Sequence, residues 1–322
     1  MKTLKLCKAR SMSIPNALVA NPRLEKGARK WISAFAGMTL HLTVLLSFFF
    51  SVTTYSTEKN IKTLSHYSHF LGKEQKLNVY VPNSLGRHSV LYLLHGAYGS
   101  YVDWVEKSDI ENIADKFNLI IVMPDGGQFG WYTDSPFEKE NQYESYIIKE
   151  LIPFIDSTFD TYAEKDGRGI CGLSMGGYGA LKFASKYPDM FASASSMSGV
   201  LAILNHPDSW FMPKVFGSQK EHLDVWKEND LLELAPALKG QPNATKDSLK
   251  TDAHSTQKVA IKFDVGIDDH TLNDNREYLQ RLQDLGISFE YGEFPGTHNW
   301  EYWSGHIFEH LQFHARHLKN AQ

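Results

Sequence analysis

The chemistry this chain could carry is concentrated around one serine. Gly172-Leu173-Ser174-Met175-Gly176 is a G-x-S-x-G pattern inside a glycine-rich run from Gly169 to Ala180. The pattern suits a sharp strand-to-helix turn, where a strained backbone pushes a serine hydroxyl into the open. Strand and helix then pass so closely that the positions two before and two after the serine must lack side chains. Gly172 and Gly176 meet that demand, and Gly177 and Gly179 continue the small surface into the helix. Gly169-Ile170-Cys171 reads as the end of a buried strand, and Tyr178 to Tyr187 has helical spacing that stops at Pro188.

An alkyl hydroxyl is a poor nucleophile at neutral pH, so Ser174 needs a base, an orienting acid and an oxyanion site. In this kind of turn the partners follow in chain order, Ser, then Asp or Glu, then His. The apolar stretch Val259 to Val265 leads into Gly266-Ile267-Asp268-Asp269-His270, which places carboxylates just past a strand end. Ser288 to Phe294 leads into Pro295-Gly296-Thr297-His298, which places an imidazole past the next strand. His298 is the candidate base. Both Asp269 and Asp268 are candidates for the acid, with Asp269 preferred. For the oxyanion, the backbone N–H of Met175 follows the nucleophile, and the loop His95-Gly96-Ala97 offers a second through Ala97. His95 itself reads as a loop-ordering residue rather than a base.

These residues need a scaffold, and the apolar pattern supplies one. Ile61 to Phe70 and Lys76 to Val81 alternate as an antiparallel hairpin at a sheet edge. Val90 to Leu94 and Leu119 to Met123 are continuous apolar strands, and Ala192 to Ser198 is another. Helices are expected over Asp103 to Phe117, Glu140 to Phe159 (bent or ended by Pro153), Leu272 to Leu285 and Trp300 to Leu318. Strands alternating with helices imply a mostly parallel sheet covered on both faces. Residues 200–257 break the rhythm, with Pro207, Pro213, Pro236 and Pro242 and no clear strand. An irregular insert of that length is expected to be a lid or a substrate wall over the serine. His306, His310 and His314 recur along the final helix. With no HExxH and no carboxylate in the pattern, they read as a solvated or half-buried face, not a metal site.

Charge divides the chain. Residues 1–57 hold eight of the 33 Lys and Arg but only Glu25 of the 37 acidic residues. The body, residues 58–322, is therefore acidic, which argues against nucleic acid or an anionic membrane as partner. Trp31 to Val52 is an apolar run behind this basic region, interrupted by Ser33, Thr39, His41, Thr43 and Ser47. Its core, Leu40 to Val52, has the length of a signal-peptide apolar segment rather than a membrane span. Residues 1–57 are thus expected to be a leader removed on export, between Thr53 and Asn60, with an anchor through residues 38–52 as the alternative and Met38 as an alternative start. No stable membrane association is expected after cleavage. Of the two cysteines, Cys7 lies in the leader and Cys171 on the presumed central strand, so no disulfide framework is expected.

Four motifs in order resemble a known family. They are the elbow run itself, Leu91-Tyr92-Leu93-Leu94-His95-Gly96, and Met123-Pro124-Asp125-Gly126-Gly127 with Trp131-Tyr132-Thr133-Asp134-Ser135, then Gly296-Thr297-His298-Asn299-Trp300-Glu301-Tyr302-Trp303. Together they resemble the esterases similar to esterase D, a family that includes tributyrin esterases, S-formylglutathione hydrolases, feruloyl and acetylxylan esterases, and mycolyltransferases. The resemblance covers roughly residues 60 to 318. It implies an α/β-hydrolase fold with an irregular cap insert, and Ser174, Asp269 and His298 as the triad. Asp269 is singled out because the family's acid falls three residues after the glycine that Gly266 matches. From these motifs His95, Trp131, Tyr178 and Trp300 are the candidates for substrate contact. The expected activity is serine-dependent hydrolysis of small or short-chain acyl esters, an acylated saccharide among them, with no cofactor and no metal. Acyl transfer to a sugar or alcohol and S-formylglutathione-type thioester hydrolysis are the enzymatic alternatives. A non-catalytic binding protein would need none of these residues in these positions.

Overall fold

A computed structural model describes residues 60–240 and 257–322; the expected leader, its cleavage site and the second half of the insert's tail lie outside the described residues. The strands β1 (Ile61–Ser68), β2 (Lys73–Tyr80), β3 (Ser89–Leu94), β4 (Leu119–Pro124), β5 (Arg168–Leu173), β6 (Ser193–Met197), β7 (Ala260–Gly266) and β8 (Glu290–Phe294) form one sheet. Their spatial order is β1-β2-β4-β3-β5-β6-β7-β8. β1 pairs antiparallel with β2, as expected of the edge hairpin, and β2 is also antiparallel to β4. Every pairing from β4 across to β8 is parallel.

β3, β4 and β5 are buried along their whole length. That is why they read as unbroken apolar runs instead of alternating ones. Residues along β3 alternate between the two layers. Val90, Tyr92 and Leu94 pack with Leu181, Phe183, Tyr278 and Leu282 from the helices Met175–Lys186 and Leu272–Leu285. Leu91 and Leu93 pack on the other face with Trp104, Ile110, Ile307 and Leu311. Because the central strands are parallel, β3, β5, β6, β7 and β8 all end at the same rim, and the candidate site residues hang from that rim.

Three elements depart from the sequence reading, each for a local reason. The expected helix from Asp103 to Phe117 is two short helices, Asp103–Lys107 and Ile110–Ala114. Ser108 between them is extended, and its hydroxyl bonds back to the Trp104 carbonyl, so the first helix ends there. The helix expected from Glu140 begins at Tyr143 and widens into a π segment over Tyr146–Leu151 before Ile152–Thr158. Pro153 has no N–H to donate into the previous turn, and the wider turn accommodates that loss without ending the helix. The histidine stripe is not a solvated face. His310 and His314 are fully buried under the sheet. His310 Nε2 lies 2.7 Å from Asp264 Oδ2, and the two His314 nitrogens lie 2.7 and 2.8 Å from the hydroxyls of Ser193 and Ser195. β6 turns those two serines toward the helix, which gives a polar imidazole a place inside.

The described part of the insert holds the short helices Met212–Phe216, Leu223–Lys227 and Leu231–Leu234 with turns at Ile203–Asn205 and Ala235–Leu238. It is stapled to the loop after β4. Trp131 Nε1 donates to the Trp210 carbonyl, Ser135 Oγ to the Val215 carbonyl, and Thr133 Oγ1 to Asn229 Oδ1. Among the described residues no helix is long and apolar enough to cross a membrane.

The closest packing in the sheet yields the first test. A Cβ added at Gly172 would sit 2.4 Å from the Gly176 carbonyl carbon and oxygen. Gly172→Ala should therefore lower unfolding stability by about 1–3 kcal/mol in urea titration. An unchanged midpoint would mean that strand and helix are not held this close.

Candidate functional site

Ser174 sits between β5 and the helix Met175–Lys186 with φ 52° and ψ −118°. A non-glycine residue reaches that conformation only when its surroundings force it. The forcing groups are backbone on both sides. Ser174 N–H donates to the Met197 carbonyl at the end of β6, and its carbonyl accepts from Tyr178 N–H in the first helical turn. The hydroxyl is left facing the rim.

Its neighbours arrive from the loops after the last two strands, β7 and β8. His298 Nε2 is 2.9 Å from Ser174 Oγ, and His298 Nδ1 is 3.0 Å from both oxygens of Asp269. Asp269 is buried, whereas Asp268 is exposed. Of the two carboxylates that the residues alone leave open, Asp269 is the one that His298 faces. Asp269 Oδ1 also accepts from Thr271 N–H at 2.8 Å and Thr271 Oγ1 at 2.9 Å. Burial alone would raise this carboxyl, but the His298 hydrogen bond and charge, with the Thr271 amide, hold it below the usual carboxylate range. It is an anion aimed at Nδ1, and so Nδ1 carries the proton and Nε2 is free to accept one from Ser174.

Of the oxyanion candidates, Met175 follows Ser174 directly and Ala97 lines the same cleft. Met175 is the first residue of its helix, where the N–H has no intrahelical acceptor. The Gly96–Ala97 loop abuts the serine, since a Cβ on Gly96 would lie 3.2 Å from Ser174 Cβ. His95 fixes that loop from behind. Its Nε2 accepts from Gly126 N–H at 2.8 Å, so its Nδ1 carries the proton and donates to the Gly96 carbonyl at 2.7 Å. With that carbonyl held inward, the trans peptide turns the Ala97 N–H the other way, into the cleft. Burial depresses the His95 imidazole and keeps it neutral.

The cleft has a volume of about 400 Å³ and is walled by Trp131, Trp210, Trp300 and Trp303, with Val200 and Leu173. Trp131 and Trp300 therefore line it, as the motifs suggest. His95 and Tyr178 do not. His95 is buried behind the loop, and Tyr178 is buried beneath Trp131 with its hydroxyl donating to the Asn229 carbonyl. Their side chains order the site and have no face toward the cavity. Sequence reasoning did not assign Trp210, His270, Asp103 or Lys107, all of which line it. Trp210 comes from the insert, where no periodicity marks a facing side, and His270 follows the carboxylates without a motif of its own.

An eight-stranded, mostly parallel sheet in this order, with a strained serine at the turn after its fifth strand, is the α/β-hydrolase fold. The family described as "Putative esterase" matches residues 68–314, and the chain belongs to that family. It is 35% identical to an esterase of Mycobacterium tuberculosis over 245 residues, 71% of this chain and 53% of that protein. The chain thus spans about half the length of that relative. It is 31% identical to an acetyl esterase of Caldicellulosiruptor saccharolyticus over 225 residues, 67% of this chain and 79% of that one. Among solved structures, a ferulic acid esterase superposes with a TM-score of 0.65 at 26% identity, covering 80% of this chain and 98% of that one.

Two buried neutral histidines set an acid limit. Burial holds both His95 and His314 below the ordinary imidazole value. The unfolded chain, with imidazoles near ~6.5, binds those protons first. Stability is therefore complete above that pH and falls below it, by about 1.4 kcal/mol per pH unit for each proton. Urea midpoints at pH 8, 6 and 5 should show this decline, with a shallower slope in His314→Gln. A flat profile between pH 7 and 5 would mean that neither imidazole is held neutral.

Proposed function

We propose that the protein is a serine carboxylesterase that cleaves small or short-chain acyl esters through an acyl-enzyme on Ser174. The observation that carries this reading is the single imidazole between the two partners, 2.9 Å from the Ser174 hydroxyl and 3.0 Å from the Asp269 carboxylate. His298 Nε2 takes the hydroxyl proton as Oγ attacks the ester carbonyl carbon. Asp269 holds the tautomer and stabilises the imidazolium. The oxyanion accepts hydrogen bonds from the Met175 and Ala97 amides. The imidazolium then protonates the departing alkoxide, the alcohol leaves, and water repeats the sequence on the acylated serine to release the acid.

The aromatic cleft supports a compact acyl group joined to an alcohol with flat apolar faces. An acylated saccharide fits that description, in keeping with the acetyl esterase and ferulic acid esterase among its relatives. The open side of the cleft leaves room for an alcohol acceptor, so acyl transfer is the second reading, separated from hydrolysis by product ratios with added alcohols. The apolar run at residues 40–52 supports export, and N-terminal sequencing of protein from its native host tests it.

Two substitution series test the assignment. Ser174→Ala should lower turnover of p-nitrophenyl acetate by ~10⁶-fold and abolish labelling by a fluorophosphonate, with the fold retained by circular dichroism. Turnover within tenfold of the parent would remove Ser174 from the reaction. Asp269→Asn should cost on the order of 10⁴-fold by leaving His298 in the wrong tautomer, while Asp268→Asn should cost less than about tenfold. The reverse ranking would transfer the acid role to Asp268.

A further inference from the structure

His270 belongs to the same turn as Asp268 and Asp269, yet its imidazole faces the cleft. Its side chain is half exposed, and Nδ1 lies 3.7 Å from Asp269 Oδ1. Its ring centroid is 4.2 Å from that of His298. One donor atom from each of Asp269, His270 and His298 lies within 4.8 Å of the other two. A tetrahedral zinc ion with bonds of ~2.0–2.2 Å separates its ligands by about 3.3–3.6 Å. The Asp269–His298 and Asp269–His270 distances of 3.0 and 3.7 Å bracket that range. Of the three ligands His270 is the most exposed, with half of its side chain in solvent.

The donor chemistry agrees with the geometry. Two imidazoles and one carboxylate suit zinc and its first-row neighbours, whereas magnesium and calcium want more oxygen ligands. The Thr271 N–H and Oγ1 bonds to Asp269 Oδ1 are the kind of outer support that ligating carboxylates carry.

We propose that Asp269, His270 and His298 form an inhibitory site for a divalent transition metal such as zinc, which switches the enzyme off by changing the tautomer of His298. The proposal rests on His298 being the base. In the metal-free site the ring proton is on Nδ1, bonded to Asp269, and the Nε2 lone pair faces Ser174. When the Nδ1 lone pair coordinates the metal, the ring proton moves to Nε2, with no net gain or loss of protons. Nε2–H then donates to Ser174 Oγ and can no longer accept its proton. Chelation of the metal reverses the exchange.

The test uses the full chain in a non-chelating buffer, with zinc chloride as the probe and p-nitrophenyl acetate as the substrate. Zinc should suppress turnover about tenfold or more, EDTA should restore it, and magnesium should have no such effect. In His270→Gln and His270→Phe, each compared with its own metal-free rate, the zinc midpoint should rise by at least about tenfold. Calorimetric titration should show one zinc per parent chain and the same loss of affinity in the variants. That reading needs no activity, so it separates failure of the metal site from failure of the esterase reading. In the unaltered chain zinc should also protect His270 from diethyl pyrocarbonate, which requires no variant to fold. Equal midpoints in parent and variants, equal inhibition by magnesium, or full modification of His270 in the presence of zinc would each overturn the proposal.

Discussion

The backbones of β5 and the helix behind Ser174 touch, and the rest of the rim is arranged around that contact. A Cβ on Gly172 would meet the Gly176 backbone at 2.4 Å, and one on Gly176 would meet the Leu94 and His95 carbonyl oxygens at 2.6 Å. Three segments thus share one crossing point, and only glycine fits at two of its positions. The turn that joins strand to helix has no slack left, so the residue at its apex takes the strain as a positive φ. The same crossing brings the end of β3 and the Gly96–Ala97 loop against the serine. The candidate nucleophile and the candidate oxyanion loop are therefore placed by one packing constraint instead of two.

The candidate acid and base are held by a second device, which extends the sheet beyond its strands. β7 and β8 are parallel neighbours paired through Gly266 and Phe294. Past that register, Ile267 N–H donates to the Phe294 carbonyl and Asp268 N–H to the Gly296 carbonyl. The two loops are zipped together, which fixes the spacing of the loops that carry Asp269 and His298. Below them, Tyr302 and His310 of the final helix both bond Asp264 on β7, at 3.1 and 2.7 Å. That buried carboxylate fastens the helix that follows the base to the strand that precedes the acid. Truncating either partner would leave a charge or a ring nitrogen unpaired in the interior.

Much of this was legible because it is local. The elbow depends on residues within five positions, and the chain order of serine, acid and base follows from strands that announce themselves as apolar runs. Helix Leu272–Leu285 has the ends expected of it, and in the structure Gly286 stops it in a left-handed conformation. What was not legible depends on partners far along the chain. The burial of His310 and His314 needs Asp264, Ser193 and Ser195, which lie 46 or more positions away. The inward placement of His95 and Tyr178 needs Gly126 and Asn229. Trp210 reaches the cleft through a positive-φ turn in the insert, φ 46°, which no hydrophobic period encodes.

The central claim is that one imidazole activates Ser174 for covalent catalysis. Mass spectrometry of the protein quenched in acid during turnover of a p-nitrophenyl ester reads this directly. The account predicts an acyl adduct on the peptide that contains Ser174, formed at the rate of the p-nitrophenol burst. An adduct on any other residue, or a burst with Ser174 unmodified, would contradict it.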